Sequence, residues 1–173
     1  KFALSDPAGR VAMEPPKHQA SHIRSIRFDG GILDGQVLHF SSELNTLIGI
    51  RGSGKSSILE AVRYALDIPR GEKAQDTKYK DELIRHTLGS GGKVTLTACD
   101  VYGQEFTISR IFREAPNVYL GGKLQPGVSI RETVLRRPIY FGQKDLSSTG
   151  EGFETDLVEK LVGEKLRVLR DEI

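Results

Sequence analysis

Three glycines, a lysine and two serines share the run Gly49-Ile50-Arg51-Gly52-Ser53-Gly54-Lys55-Ser56. The run fulfils the pattern Gly-x-x-x-x-Gly-Lys-[Ser/Thr], and each fixed position has a mechanical reason to be there. Gly49, Gly52 and Gly54 admit backbone angles closed to other residues, so that successive amides turn inward toward an anion. A helix beginning near Lys55 aims its free amides and positive dipole end at the same point. Lys55 then reaches the β- and γ-phosphates as a point charge. Ser56 offers a hard oxygen to magnesium, and Ser57 is placed to donate to the α-phosphate. The predicted ligand of Gly49, Ile50, Arg51, Gly52, Ser53, Gly54, Lys55, Ser56 and Ser57 is therefore ATP with Mg2+.

Little else in the chain has the spacing of a reactive site. His18, His22, His39 and His86 are scattered, without metal-ligand spacing. No serine-histidine-acid set or paired carboxylates stand out. The single cysteine, Cys99, excludes an internal disulfide and a cysteine-clustered zinc site. It falls in an alternating segment, which predicts a buried structural thiol and a reducing, cytoplasmic setting. Basic residues gather at Arg110 and Arg113 and at Arg131, Arg136 and Arg137, a possible nucleic-acid face diluted by Glu114 and Glu132.

The elements that must position the loop follow from periodicity. Leu44 to Gly49 is a short apolar run that reads as a buried strand entering the loop. Ile58, Leu59, Val62, Ala65 and Leu66 recur at helical spacing after it. Before it, Ile23 to Phe28 reads as a strand, and Gln36 to Ser41 as a second with Val37 and Phe40 inward. Lys78 to Leu88 predicts an amphipathic helix with Leu83, Ile84 and Leu88 inward. Val94, Leu96 and Ala98 alternate, as do Phe106 and Ile108 beyond Tyr102-Gly103-Gln104, which predicts an antiparallel hairpin. Val118 to Leu124 around Gly121-Gly122 predicts another, and Pro138 to Phe141 a short strand. From Glu154 to Ile173, Leu157, Leu161 or Val162, Leu166, Leu169 and Ile173 mark a charged helix that either begins a coiled coil or packs on the domain surface.

With 38% hydrophobic and 28% charged residues in 173, the chain has the composition of one globular domain rather than of a disordered one. No apolar run approaches the roughly 18 to 20 residues that cross a bilayer. A net charge of +2 gives no global case for nucleic acid. Residues 1–20 read as the tail of an upstream region and a linker, 21–150 as the domain, and 151–173 as the departing helix. The chain starts at Lys1, in keeping with a piece of a longer protein.

The segment from Leu44 to Ala61, reading LNTLIGIRGSGKSSILEA, resembles the N-terminal lobe of SMC, RecF and related DNA-repair ATPases of the ABC class. A closer resemblance is to the TrlF-type ATPases, in which a PHP phosphoesterase domain precedes an SMC-like ATPase. It rests on His22 to Arg27, Leu33-Asp34-Gly35 and Gly49 to Gly52. Arg51 departs from the asparagine usual in most repair ATPases. The resemblance implies an α/β P-loop fold, with a mixed sheet plus an antiparallel β subdomain. It also places Gln143 in the glutamine loop, as a second magnesium ligand beside Ser56.

The same resemblance puts the Walker B acid and the signature motif in a C-terminal lobe, with the signature acting across a dimer. Neither occurs in this chain; Gly89-Ser90-Gly91-Gly92 precedes a strand, whereas a signature opens a helix. Hydrolysis needs a carboxylate to orient water and charge stabilisation on the moving phosphoryl group. No catalytic residue is therefore assigned to these 173 residues, which are expected to bind ATP weakly and turn it over negligibly. The expected partners are the C-terminal lobe, a second copy and possible nucleic acid. Two other classes fit the loop: a monomeric P-loop kinase or small NTPase, and a nucleotide-gated interaction module without turnover.

Overall fold

The computed structural model describes residues 20–70, 76–136 and 138–141. The expected N-terminal tail, His18, Arg137, Gln143 and the helix at 151–173 fall outside the described residues.

Six strands form one sheet in the order β2-β1-β3-β4-β5-β6. They are β1 (His22–Asp29), β2 (Val37–His39), β3 (Lys93–Cys99), β4 (Glu105–Ile111), β5 (Asn117–Leu120) and β6 (Lys123–Leu124). Every pairing is antiparallel. Alternation decides which face is buried: Ile26 and Phe28, Val94, Leu96 and Ala98, Phe106 and Ile108, and Val118 all point to one side. In the β3–β4 hairpin Leu96 stands opposite Ile108 and Ala98 opposite Phe106, so both strands deliver their apolar residues in register.

Two helices cover that face. Helix α1 (Lys55–Ala65) follows the glycine loop, and α2 (Thr77–Leu88) ends at Gly89. Ala61, Ala65 and Leu66 from α1 and its end join Ile84 and Leu88 of α2 in the core, with Ile130, Val134 and Leu135 from a π-helical turn. The end of α2 lies so close to the entry of β3 that a Cβ on Gly92 would sit 1.7 Å from the Leu88 carbonyl oxygen. Gly92 is thus a packing glycine at a helix-to-strand junction, in agreement with the reading that sets Gly89 to Gly92 apart from a signature motif.

Four expectations need correction. The run Leu44 to Gly49 is not a buried strand: it is irregular, and Leu44 and Ile48 are 89% and 93% exposed. Its apolar composition calls for sheet neighbours, yet the six-stranded sheet is built without it. Correspondingly, the sheet is antiparallel throughout the described residues rather than mixed. Val37 faces solvent, because β2 is a three-residue edge strand, while Phe40 packs against the core as expected. Pro138 to Phe141 is irregular rather than a strand, with Ile139 exposed.

Helix α1 is also rotated relative to its apolar stripe. Its buried residues are Ser57, Glu60, Ala61 and Ala65, and Leu59 is exposed. A carboxylate at the core boundary replaces a leucine there because ion pairs await it, as described below.

Candidate nucleotide-binding loop and its support

Gly52 and Gly54 hold φ of +84° and +86°, and a Cβ added at either would meet no atom within 4 Å. Their constraint is therefore the left-handed backbone itself, which glycine enters without the steric cost of a side chain. Gly54 is the N-cap of α1, and no side chain caps the helix there. The first-turn amides of α1 thus have no side-chain acceptor at the cap, and the positive end of the helix opens onto the loop.

Lys55, the first residue of α1, folds back over the loop. Its Nζ donates to the carbonyl oxygens of Gly49 and Ile50, both at 2.7 Å, and to Ser53 Oγ at 3.1 Å. The Ser53 amide closes the turn onto the Ile50 carbonyl at 3.3 Å. The ammonium therefore holds the loop closed through three exchangeable hydrogen bonds, which anionic oxygens can replace. Ser56 is half-buried and Ser57 buried on the first turn of α1, whereas Arg51 stands exposed at the loop tip. Glycine amides, an ammonium and a hydroxyl make a donor set that suits a polyphosphate with a hard cation. Among the described residues no group of three or more His, Cys, Asp or Glu side chains is arranged to hold a metal.

Behind the loop lies a network that sequence periodicity does not signal. Glu60 is 1% exposed, and both its carboxylate oxygens are bonded. Oε1 accepts from Arg63 Nε at 2.6 Å and from an Arg70 terminal nitrogen at 3.0 Å; Oε2 accepts from the Tyr140 hydroxyl at 2.6 Å. Arg70 continues to Asp81 of α2 at 2.8 Å. The two acids and two guanidinium groups balance in charge, so the buried carboxylate is compensated. A glutamate six residues beyond Gly54, inside an otherwise apolar stripe, was the available signal.

Of the basic residues, Arg110 is engaged within the fold. Arg110 turns onto α1, pairing with Asp67 at 2.9 Å and stacking on Tyr64. Arg113, Arg131 and Arg136 are exposed. Of the histidines, His39 and His86 are exposed, and His22 Nδ1 lies 3.1 Å from the Ala20 carbonyl oxygen, a local contact at the start of β1. Cys99 is buried, and burial pushes its thiol pKa up, in line with a structural rather than reactive role. No helix among the described residues is long and apolar enough to cross a membrane.

A family model described as an AAA domain matches residues 20–165. Among curated proteins, a DNA double-strand break repair Rad50 ATPase from Sulfurisphaera tokodaii is 27% identical over 157 residues, covering 80% of this chain. The chain spans only 17% of that relative's length. Among solved structures, a chain from work on ATP-driven dimerization and DNA-stimulated activation of SMC ATPases aligns with a TM-score of 0.52 at 14% identity. That alignment covers 81% of this chain and 99% of the other. The recombination mediator RecF bound to ATP aligns with a TM-score of 0.47 at 16% identity, over 83% of this chain and 39% of that one. The SMC likeness identifies the fold as that of an α/β P-loop ATPase lobe.

Proposed function

This chain belongs to the AAA domain family, and from that premise we propose that it is the ATP-binding N-terminal lobe of an SMC/RecF-like ATPase. Gly49 to Ser57 supply the phosphate cradle, Lys55 the cation for the β- and γ-phosphates, and Ser56 a magnesium ligand. Gln143 is proposed as the second magnesium ligand. Bound Mg-ATP would be the group that reacts; these residues bind and orient it, and the acid that activates water belongs to a C-terminal lobe.

One observation carries this reading: a loop with left-handed glycines ends on an uncapped helix whose first residue, Lys55, returns its ammonium to the loop's own carbonyls. The family membership and the SMC-like fold support it. The exposed run Leu44 to Ile50 supports the two-lobe arrangement. Among the described residues no main-chain hydrogen bond joins 44–49 to a strand, and Leu44, Ile48 and Ile50 all stand in solvent. An apolar, unpaired segment directly before the loop is what a sheet completed by another lobe would leave here.

Within the same reading, the amphipathic sequence at 151–173 would begin a coiled coil, and a second copy would complete the site. A role in DNA or RNA repair, processing or defence is in keeping with the Rad50 relative. Direct nucleic-acid contact would fall to Arg113, Arg131 and Arg136, because Arg110 is committed within the fold. The TrlF-type subfamily remains our finer assignment, on His22 to Arg27 and Gly49 to Gly52.

The test is Lys55→Ala in the 173-residue chain, read by calorimetric titration with Mg-ATP and by thermal melting. Binding should fall at least about a hundredfold, in keeping with loss of a charge-assisted phosphate contact, while the fold persists. Undiminished affinity in the variant would refute the assignment.

A further inference from the structure

Buried ion networks are poor sources of net stability, since apolar residues of similar volume often serve as well. The Glu60 cluster therefore calls for an account of what it holds in place. Its carboxylate lies on α1, five residues after Lys55, about 7.5 Å further along the helix axis. Its partners lie on three other pieces of chain or turns: Arg63 one turn on, Arg70 beyond the helix, and Tyr140 some 80 residues away in sequence.

The Tyr140 contact differs from the others in what it restrains. Pro138 to Phe141 belongs to no strand among the described residues. Tyr140 nevertheless packs against the core, with its hydroxyl on Glu60 Oε2 and Arg63 5.9 Å from its ring centroid. These contacts join the segment, through the Tyr140 side chain, to the helix that carries the nucleotide loop. Arg63 and Arg70 both bond Oε1, which fixes the carboxylate's rotation and leaves Oε2 aimed at Tyr140.

We propose that Glu60 is a positioning residue: it joins the Pro138–Phe141 segment to α1, so that ordering of α1 by bound nucleotide is passed to Tyr140. This rests on the nucleotide reading of the loop. A carboxylate held by two guanidinium groups is a stiff joint, and a phenol hydroxyl on it is a short, directional bond. Displacement or stiffening of α1 is thereby felt at Tyr140, which stands three residues before Gln143 in sequence. Coupling of this sort is a free energy shared between two places, measurable as a ligand effect at the remote one.

The experiment compares wild type, Tyr140→Phe, Glu60→Gln and Lys55→Ala, each as the whole chain. Mg-ATP affinity is measured by calorimetry, and amide hydrogen exchange is followed at the start of α1 and at Ile139 to Phe141. In the wild type, Mg-ATP should slow exchange at both places, by about fivefold or more at the second. Tyr140→Phe removes one oxygen and should keep ATP affinity within about threefold and the slowing at α1, yet lose it at Ile139 to Phe141. Glu60→Gln should behave alike if it folds; Tyr140→Phe decides the matter if it does not. A merely structural role would lower stability without erasing the ligand-dependent change. Equal slowing at Ile139 to Phe141 in wild type and Tyr140→Phe overturns the joint while leaving the loop assignment intact. Slowing confined to α1 in the wild type does the same. Absence of ATP binding in the wild type instead removes the reading beneath it.

Discussion

The guanidinium of Arg110 on β4 lies 4.0 Å from the centroid of the Tyr64 ring on α1, and Tyr64 in turn ties down the end of β4. The Tyr64 hydroxyl donates to the Ile111 carbonyl at 3.3 Å and accepts from the Arg113 amide at 2.8 Å. Arg113 there holds a φ of +71°, an unfavourable conformation for a residue with a side chain, and the tyrosine clamp offsets it. An arginine that looks like part of a basic face is thus an internal brace between sheet and helix.

Two substitutions separate these contributions. Tyr64→Phe keeps the stack and removes the hydroxyl, and should cost about 1–2 kcal/mol in chemical denaturation. Arg110→Lys keeps the charge but loses the planar stack, at a cost of about 1–2 kcal/mol. Neither should change the salt dependence of any nucleic-acid binding, since Arg110 faces α1. A reduced salt slope in Arg110→Lys would show that the residue contacts phosphates after all.

Glycine plays two opposite parts, and alanine distinguishes them. At Gly54 there is room for a methyl but the backbone is left-handed, so Gly54→Ala should cost only about 1–2 kcal/mol of stability. Its main effect should be on the loop, with Mg-ATP affinity lowered by at least about tenfold. At Gly92 the new Cβ would lie inside the Leu88 carbonyl. Gly92→Ala should therefore destabilise by more than about 3 kcal/mol, detected as a large drop in melting temperature. Equal effects of the two changes on stability would contradict this division.

The exposed apolar run before the loop makes a prediction about assembly. Ile48 and Ile50 are 93% and 83% exposed, so replacing both with serine removes no core contact and should leave the isolated chain's melting temperature within about 1 °C. Association with the proposed C-terminal lobe, measured by titrating one purified lobe into the other, should weaken by at least about tenfold, given about 1.5–3 kcal/mol per buried isoleucine. Unaltered association would mean that the segment is not the seam between lobes.

Much of the framework was legible because it is local or periodic. The loop declares itself by residue type, since only glycine takes the left-handed angles seen at Gly52 and Gly54 without cost. The β3–β4 hairpin follows from strict alternation around Tyr102 to Gln104, and α2 from its amphipathic spacing. A pattern of period two or 3.6 needs only one buried face to express itself, whatever covers that face.

Residue order alone was thus enough for the loop, for most of the elements around it and for many of the side chains that must be buried somewhere. The partners that meet those demands emerged only from the folded chain. Leu44 to Gly49 has the composition of a strand, but a strand is completed by neighbours, and the described sheet offers it none. Glu60 and Leu59 sit side by side on α1, and their exchange of places between core and solvent is set by Arg63, Arg70 and the distant Tyr140. A side chain's burial is a local preference, whereas pairing of charges and hydrogen bonds depends on contacts between residues far apart in the chain. The proposed phosphate cradle was written in nine consecutive residues, Gly49 to Ser57; the joint behind it exists only where the chain returns to α1.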